Sequence, residues 1–297
     1  MILSLSNFFN KKDIYTNNTF NVLDNTNSKF KNTLAYCDNL SNIEIANNNK
    51  NITCILINKK FKNKIKKEKG VIFANNPRNT FYDLHHTLIK KNLYKKIKFN
   101  KIGKNCNIHD SAIISKKSYI GNNVKINENV IIKDNVYIDD NTFIDSGSVI
   151  GCGSVFFLEK NNKVKLIEHA GGLKIGKNNI VLSNSIISKS IFPHNLSTIG
   201  NNCVFGLGTK IGHNINIGNN VYILSNCNLS RGVKIDNYAW IGSSSSIKEY
   251  LHIGQYAKIM IGSVVVNNVA SYSQVSGNFA SNHLKRIKQY KKINMKK

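Results

Sequence analysis

The stretch Ile120-Gly-Asn-Asn-Val-Lys-Ile126-Asn-Glu-Asn-Val-Ile-Ile132-Lys-Asp-Asn-Val-Tyr-Ile138 sets the architecture of the chain. Isoleucine returns every sixth residue. Four places after each stands a small or β-branched residue. Upstream the pattern takes in Ile102, Ile108 and Ile114, and downstream Ile144 and Ile150. The small slot reads Cys106, Ala112, Ser118, Val124, Val130, Val136, Thr142, Ser148 and Ser154. The pattern then breaks and restarts in a new phase. Ile175, Val181, Ile187, Pro193, Ile199, Phe205 and Ile211 follow, and the register runs on to Val265 without a slip. A period of six fits neither an α-helix nor a simple alternating strand. It fits short flat strands joined by tight corners, with one large aliphatic side chain per face pointing inward. Three such faces make an 18-residue triangular coil. A coil cannot bury its apolar face until another stacks on it, so a parallel β-helix is expected over residues 101–270.

The chain has 297 residues and 41% apolar content, ample for a core. Its 42 Lys+Arg against 16 Asp+Glu give a formal charge of +26. That favours acidic partners: phosphorylated small molecules, an acidic carrier protein, nucleic acid or an anionic membrane surface. Lys, Asn and Ile are inflated everywhere, so part of the excess is general composition. A nucleic-acid binder is poorly supported, because no recognised motif is present and the basic residues do not gather into one stripe. No stretch approaches the ~20 apolar residues of a transmembrane span. The start lacks a basic n-region, so no signal peptide is expected. The six cysteines show no metal-type spacing, and no metal site is expected. Cys106, Cys203 and Cys227 fall in small inward slots and read as core thiols, which suits a reduced, cytoplasmic compartment.

Residues 1–100 do not share the six-residue register. Segments 52–58 and 70–73 read as buried strands, and 82–90 as a helix preceded by an Asn76-Pro77 turn. This is a small α/β domain, joined by a basic link at 95–101. Within the repeats, 156–172 is the one irregular insert, flanked by glycines and carrying Phe156, Phe157, Leu158 and His169. Loops leaving a regular solenoid are where binding residues gather. Residues 271–297 form an irregular tail and a short basic C-terminal helix, with Leu284, Ile287 and Tyr290 along one stripe.

The sharpest motif is Lys210-Ile-Gly-His-Asn-Ile-Asn-Ile-Gly218. It puts His213 two places after an inward aliphatic, near a corner, so the imidazole should face outward. A neutral imidazole there can take a proton from an attacking amine, because its pKa lies near working pH. A lone exposed histidine is more often idle, and His213 is one of eight. One 18-residue turn later, directly beside it, stands Arg231. His169 in the insert is a further candidate to hold a sugar or its phosphates, against ordinary loop placement. Pro193 takes an inward slot usually filled by a larger apolar side chain and marks a local distortion.

The repeat resembles that of the hexapeptide-repeat acyltransferases, whose coils wind as a left-handed parallel β-helix. The hand comes from the resemblance, since general crossover chirality favours the right. The segment around His213 looks like the Ile-Ala-His-Asn segment of the UDP-3-O-acylglucosamine N-acyltransferases of lipid A biosynthesis, in which that histidine is the general base. Tyr36-Cys-Asp-Asn39-Leu-Ser-Asn42 is similar to their Phe-x-x-Asn-x-x-Tyr uridine-binding motif. Tyr36 and Asn39 fit, and Asn42 replaces the second aromatic. Stacking on a base suits Tyr36 physically; a half-buried core tyrosine is the alternative.

Other positions depart from that family. Its Gly-Phe-Gly-Phe segment reads Val155-Phe-Phe-Leu158, its Asp-Asn-Gln reads Gly206-Leu-Gly208, and its second active-site histidine falls at Tyr250. Arg231 stands at a glycine whose main-chain N–H, in the family, binds the thioester carbonyl. Gly277-Asn-Phe-Ala280 resembles the Gly-x-Pro-Ala segment of coenzyme-A-using relatives, with Lys285 and Arg286 as candidate contacts to the donor's phosphates.

The resemblance therefore implies a mainly β fold, a left-handed parallel β-helix with a small N-terminal α/β domain and a short C-terminal helix. It implies a homotrimeric N-acyltransferase with its site between neighbouring subunits. The enzyme would acylate the amine of a nucleotide-linked amino sugar for surface-glycan biosynthesis. His213 and the Arg231 N–H would be catalytic, and Tyr36, Asn39, Asn214 and His169 would bind acceptor. The co-substrate is expected to be acetyl-coenzyme A, with a hydroxyacyl carrier protein and the lipid A reaction as the alternative. A non-catalytic scaffold is the rival from another class.

Overall fold

The computed structural model describes residues 2–66, 68–94, 97, 99–160, 162–277, 283–285 and 287–288. From Lys101–Ile102 onward the backbone winds into a three-faced parallel β-helix. One face carries eight strands, from Lys101–Ile102 to His252–Ile253. The next carries nine, from Asn107–Ile108 to Gln274–Val275, and the third eight, from Ile113–Ile114 to Val264–Val265. Partners in neighbouring coils stand 18 residues apart, as in Ile120↔Ile138 and Ile217↔Ile235.

The lumen is the aliphatic column read from the sequence. Ile120, Val124, Ile126, Val130, Ile132, Val136, Ile138 and their successors through Ile259 form one buried cluster. Cys203 and Cys227 are buried in it, and Cys106 packs against it half-buried. Ile102 is 55% exposed, because its strand is the last of its face.

The corners explain the asparagines. One corner repeats a left-handed residue in coil after coil: Asn105, Asn123, Asn141, Asn178, Asn202 and Asn220, all with φ between 54° and 57°. Asparagine tolerates this region better than other side-chain-bearing residues. Its amide also bonds along the stack, as in Asn123 Nδ2 to Asn141 Oδ1 at 3.0 Å. Beyond Asn220 the same corner switches to Tyr238, Tyr256 and Tyr272, whose rings stack at 4.7 and 5.1 Å.

Two excursions leave the helix, where the sequence reading had one. Ile150 pairs with Ile187, so the first lengthens its coil by 19 residues beyond the usual 18. It contains the antiparallel hairpin Phe157–Lys160 with Lys163–Leu166. The second spans 189–196: Ile175 pairs with Ile199, 24 residues on, six more than a coil. An inserted loop one hexad long keeps the sequence frame, which is why no slip was visible. Pro193 therefore fills no inward slot; it lies in this loop, half-buried. Ser154, read as the ninth small inward residue, likewise lies outside the lumen, in the first excursion. Both excursions leave from the corner that follows the third face.

Residues 14–73 contribute a five-stranded sheet in the order Ile14–Thr16, Gly70–Phe73, Ile52–Ile57, Thr33–Cys37, Val22–Leu23. All neighbours are parallel except Ile14–Thr16. Helix α1 (Leu40–Asn48) is capped by Asn39 and helix α2 (Pro77–Lys90) by Asn76, each side chain accepting from the backbone N–H three residues on. Burying α2's apolar face joins this unit to the helix: Phe81, Tyr82, Leu84 and Leu88 share a core with Phe156, Leu158, Ile167, Ile191 and Phe192 of the two excursions. His85 rivets the contact, with Nδ1 on the Tyr94 hydroxyl at 2.7 Å and Nε2 on the Glu168 carbonyl at 2.9 Å. Of the expected C-terminal helix, 283–285 and 287–288 are helical and exposed; Arg286 and Tyr290 lie outside the described residues.

Candidate active site

The corner that releases both excursions also carries His213, which follows Ile211, and Arg231, which follows Leu229. Ile211 and Leu229 are lumen partners on the third face. Gly232 N–H donates to the His213 carbonyl at 2.9 Å, so the two corners stack directly. A Cβ on Gly212 would stand 2.7 Å from the Arg231 main-chain nitrogen. The approach of the two corners is close enough to require glycine at 212.

His213 does point away from the lumen, as expected, but not into solvent. It is 3% exposed, covered by the first excursion. The Ser154 hydroxyl makes a short hydrogen bond with His213 Nδ1. Phe156 packs on the ring at 5.4 Å between centroids, and His169 meets it edge-on at 4.9 Å. Burial, then His169 and Arg231, lowers the His213 pKa to about 3, not near working pH as the sequence led us to expect. The ring is neutral across the working range but a weaker base than a solvated imidazole.

A cavity of about 330 Å³ opens beside it, within a single chain. An expected site between subunits is not needed to supply a cleft: the excursions and α2 build one. Its walls include Tyr36, Arg78, Tyr82, Phe156, His213, Asn214, Arg231 and Tyr250, together with Asp24, Asn25 and Asn195. Tyr36, Asn214, His213 and Arg231 thus line one cavity. Sequence reasoning missed Asp24, Arg78 and the structural use of Ser154. The Asn76-Pro77 turn was a signal for Arg78, one residue further on; nothing in the sequence marked Asp24. Burial raises the carboxyl pKa of Asp24. His194 Nε2 lies 4.0 Å from its Oδ2, and burial lowers that imidazole to about 4.

On the third face a second groove of about 450 Å³ shares His213 and Arg231 with the cavity and adds Ser154, Ser188, Lys210, Gly212 and Ser230. His213 therefore lines both openings. A third crevice, about 540 Å³, sits at the carboxyl ends of the parallel strands, with Asp38, Asn58, Asn75 and Arg78 in its lining. Such ends are the usual ligand crevice of parallel sheets.

The remaining candidates are not in the cavity. Asn39 caps α1. His169 is 7% exposed, with Nδ1 on the Ile167 carbonyl at 3.1 Å and Nε2 accepting from the Ser154 N–H at 3.4 Å. Both ring nitrogens serve the excursion, and the ring braces His213. A cleft of about 1380 Å³ lined by His169 does not reach His213. Gly277 lies against the corner at Ser263, where a Cβ would stand 2.8 Å from its Cα. Lys285 is exposed.

Residues 117–152 match the bacterial transferase hexapeptide family (six repeats). Comparison with curated protein sequences finds no match. Among solved structures, UDP-N-acetylglucosamine acyltransferase from Campylobacter jejuni is similar with a TM-score of 0.53 and 22% identity over 64% of this chain and 73% of that one. LpxA, a UDP-N-acetylglucosamine acyltransferase from Bacteroides fragilis, gives 0.54 and 21% over 66% and 75%. At these identities the likeness shows the fold, the left-handed parallel β-helix of hexapeptide-repeat acyltransferases.

Proposed function

We propose that the protein transfers an acyl group from a thioester to the amine of a nucleotide-linked amino sugar. One observation carries the reading: His213, neutral and anchored by Ser154, lines both a cavity and a groove, so acceptor and donor can meet at one nitrogen lone pair. The fold is that of proteins named for UDP-N-acetylglucosamine acylation.

With Nδ1–H donating to Ser154 Oγ, His213 Nε2 carries the lone pair. The amine nitrogen attacks the thioester carbonyl carbon while Nε2 takes the N–H proton. The carbonyl oxygen becomes an oxyanion facing the main-chain N–H of Arg231. Such a donor is typically worth about 3–4 kcal/mol in acyl transfer. Collapse breaks the C–S bond, and the departing thiolate takes the proton back from the imidazolium. No metal is required by this sequence of steps. Tyr36 is the platform for the base. Asp24, a carboxyl in the cavity, suits an amine or sugar hydroxyls.

The preferred donor is acetyl-coenzyme A; the +26 charge favours an acidic acyl carrier protein as the second candidate. A cytoplasmic homotrimer belongs to the same reading. The test is thiol release with acetyl-coenzyme A and with hydroxyacyl carrier protein, against uridine- and guanosine-diphosphate amino sugars. Turnover confined to the carrier protein overturns the donor choice. A product acyl group removed by mild alkali is an ester and overturns N-acylation.

A further inference from the structure

We propose that Arg78 and Arg231 form a clamp for the diphosphate of the acceptor, with Phe156 as the spacer that sets them. This rests on the nucleotide-sugar reading above and names the part of the substrate that places its amine.

Both guanidinium groups line the cavity. The Arg78 guanidinium carbon lies 5.5 Å from the centre of the Phe156 ring and that of Arg231 5.1 Å from it. Two like charges gathered on one ring repel, and cation–π contact offsets this only in part. Among the described residues neither is ion-paired with a carboxylate. Arg231 Nε is buried and has no hydrogen-bond partner among them, a donor left unspent at a desolvation cost. Arg78 donates from Nη2 to the Phe157 carbonyl at 3.1 Å, which holds the fork without neutralising it. Planar guanidinium forks suit phosphate oxygens better than any other side chain.

Their order along the cleft fits a nucleoside diphosphate sugar. Arg78 belongs also to the crevice at the strand ends, beside Asp38 and Asn58. It sits in the first turn of α2, whose N-terminus adds partial positive charge. Arg231 belongs also to the groove beside His213. Base, diphosphate and amine would therefore run from Tyr36 by the strand ends, past the two arginines, to the imidazole. Arg231 is one of the groups that hold His213 a weak base. A phosphate paired with Arg231 relieves that part, so the base strengthens when the acceptor is loaded.

Calorimetric titration of the full chain with uridine 5′-diphosphate and uridine 5′-monophosphate, and with the guanosine pair, tests the clamp. For whichever base binds, the wild type should favour the diphosphate by about a hundredfold, Arg78→Gln and Arg231→Gln by about tenfold, and the double variant not at all. Monophosphate affinity should change far less. A variant that melts early is replaced by Arg78→Lys or Arg231→Lys, which keeps the charge and loses the fork; an intermediate preference supports the clamp. An unchanged preference in the variants overturns the clamp and leaves nucleotide binding standing. No binding of any nucleotide by the wild type overturns both the clamp and the nucleotide-linked acceptor, while acyl transfer itself is decided separately by thiol release.

Discussion

The hydroxyl of Ser154 hydrogen-bonds Nδ1 of His213, tying the start of the first excursion to a corner two coils further along. The contact fixes which ring nitrogen is available and how the ring is turned. Ser154→Ala removes the orientation and leaves the base. The account predicts a fall in kcat of about tenfold with little change in the acceptor KM, since a positioning hydrogen bond contributes about 0.5–1.5 kcal/mol. Ser154→Thr, which keeps the hydroxyl, should recover much of the rate. Equal loss in both variants would mean that the hydroxyl does not orient the ring.

Gly232 sits in the same corner at φ +68°, and a Cβ there would stand 2.5 Å from Cδ1 of Tyr250. Gly232→Ala is expected to cost about 1–2 kcal/mol from backbone conformation alone. It should also push the Tyr250 ring off the Arg231 guanidinium, now 5.5 Å away. Thermal melting reads the first effect and acceptor KM the second. A variant as stable as wild type with unaltered KM would contradict the packing described.

The lumen should respond strongly to truncation at its centre and weakly at its end. Ile223 is fully buried, so Ile223→Ala should cost about 2–5 kcal/mol in urea unfolding. Ile102, 55% exposed on the end coil, should cost no more than about 0.5 kcal/mol. Similar losses at both positions would argue against a stacked-coil core.

Burial holds five imidazoles below the ordinary 6.5: His213 to about 3, His85, His169 and His194 to about 4, and His86 in the same direction. Above pH 6.5 both folded and unfolded chains leave them neutral, so they do not shift stability there. Below it the unfolded chain takes up protons that the folded chain refuses, and stability falls toward pH 4. The urea midpoint should decline through this window, and less steeply in His194→Phe. A flat midpoint would mean that these rings are solvated.

The coil period was plain in the sequence because every lumen residue obeys one spacing rule, from Ile120 to Ile259. Burial needs only a repeat of apolar side chains, and a repeat is visible without a structure. The second excursion was hidden for the opposite reason: 189–196 adds one hexad of length, so Pro193 looked like an inward residue. Ser154 looked like one because it follows Ile150 at the repeat's spacing, just where the first excursion departs. His213 was legible as a motif, but its burial was not, since the cover comes from Ser154, Phe156 and His169, distant in the chain. Asn39 was legible as part of a motif, yet its side chain is used to cap a helix. Arg78 and Asp24 enter the cavity only through the docking of α2 and the early chain onto the excursions. No local pattern encodes that contact.

The most direct test of the account is acyl transfer by His213→Ala against wild type under saturating thioester and amino-sugar acceptor. If Nε2 takes the amine proton, the rate should fall by at least about a hundredfold while the variant stays folded and still binds acceptor. A rate within a factor of about two of wild type would contradict the catalytic assignment and leave only the β-helix and its cavity.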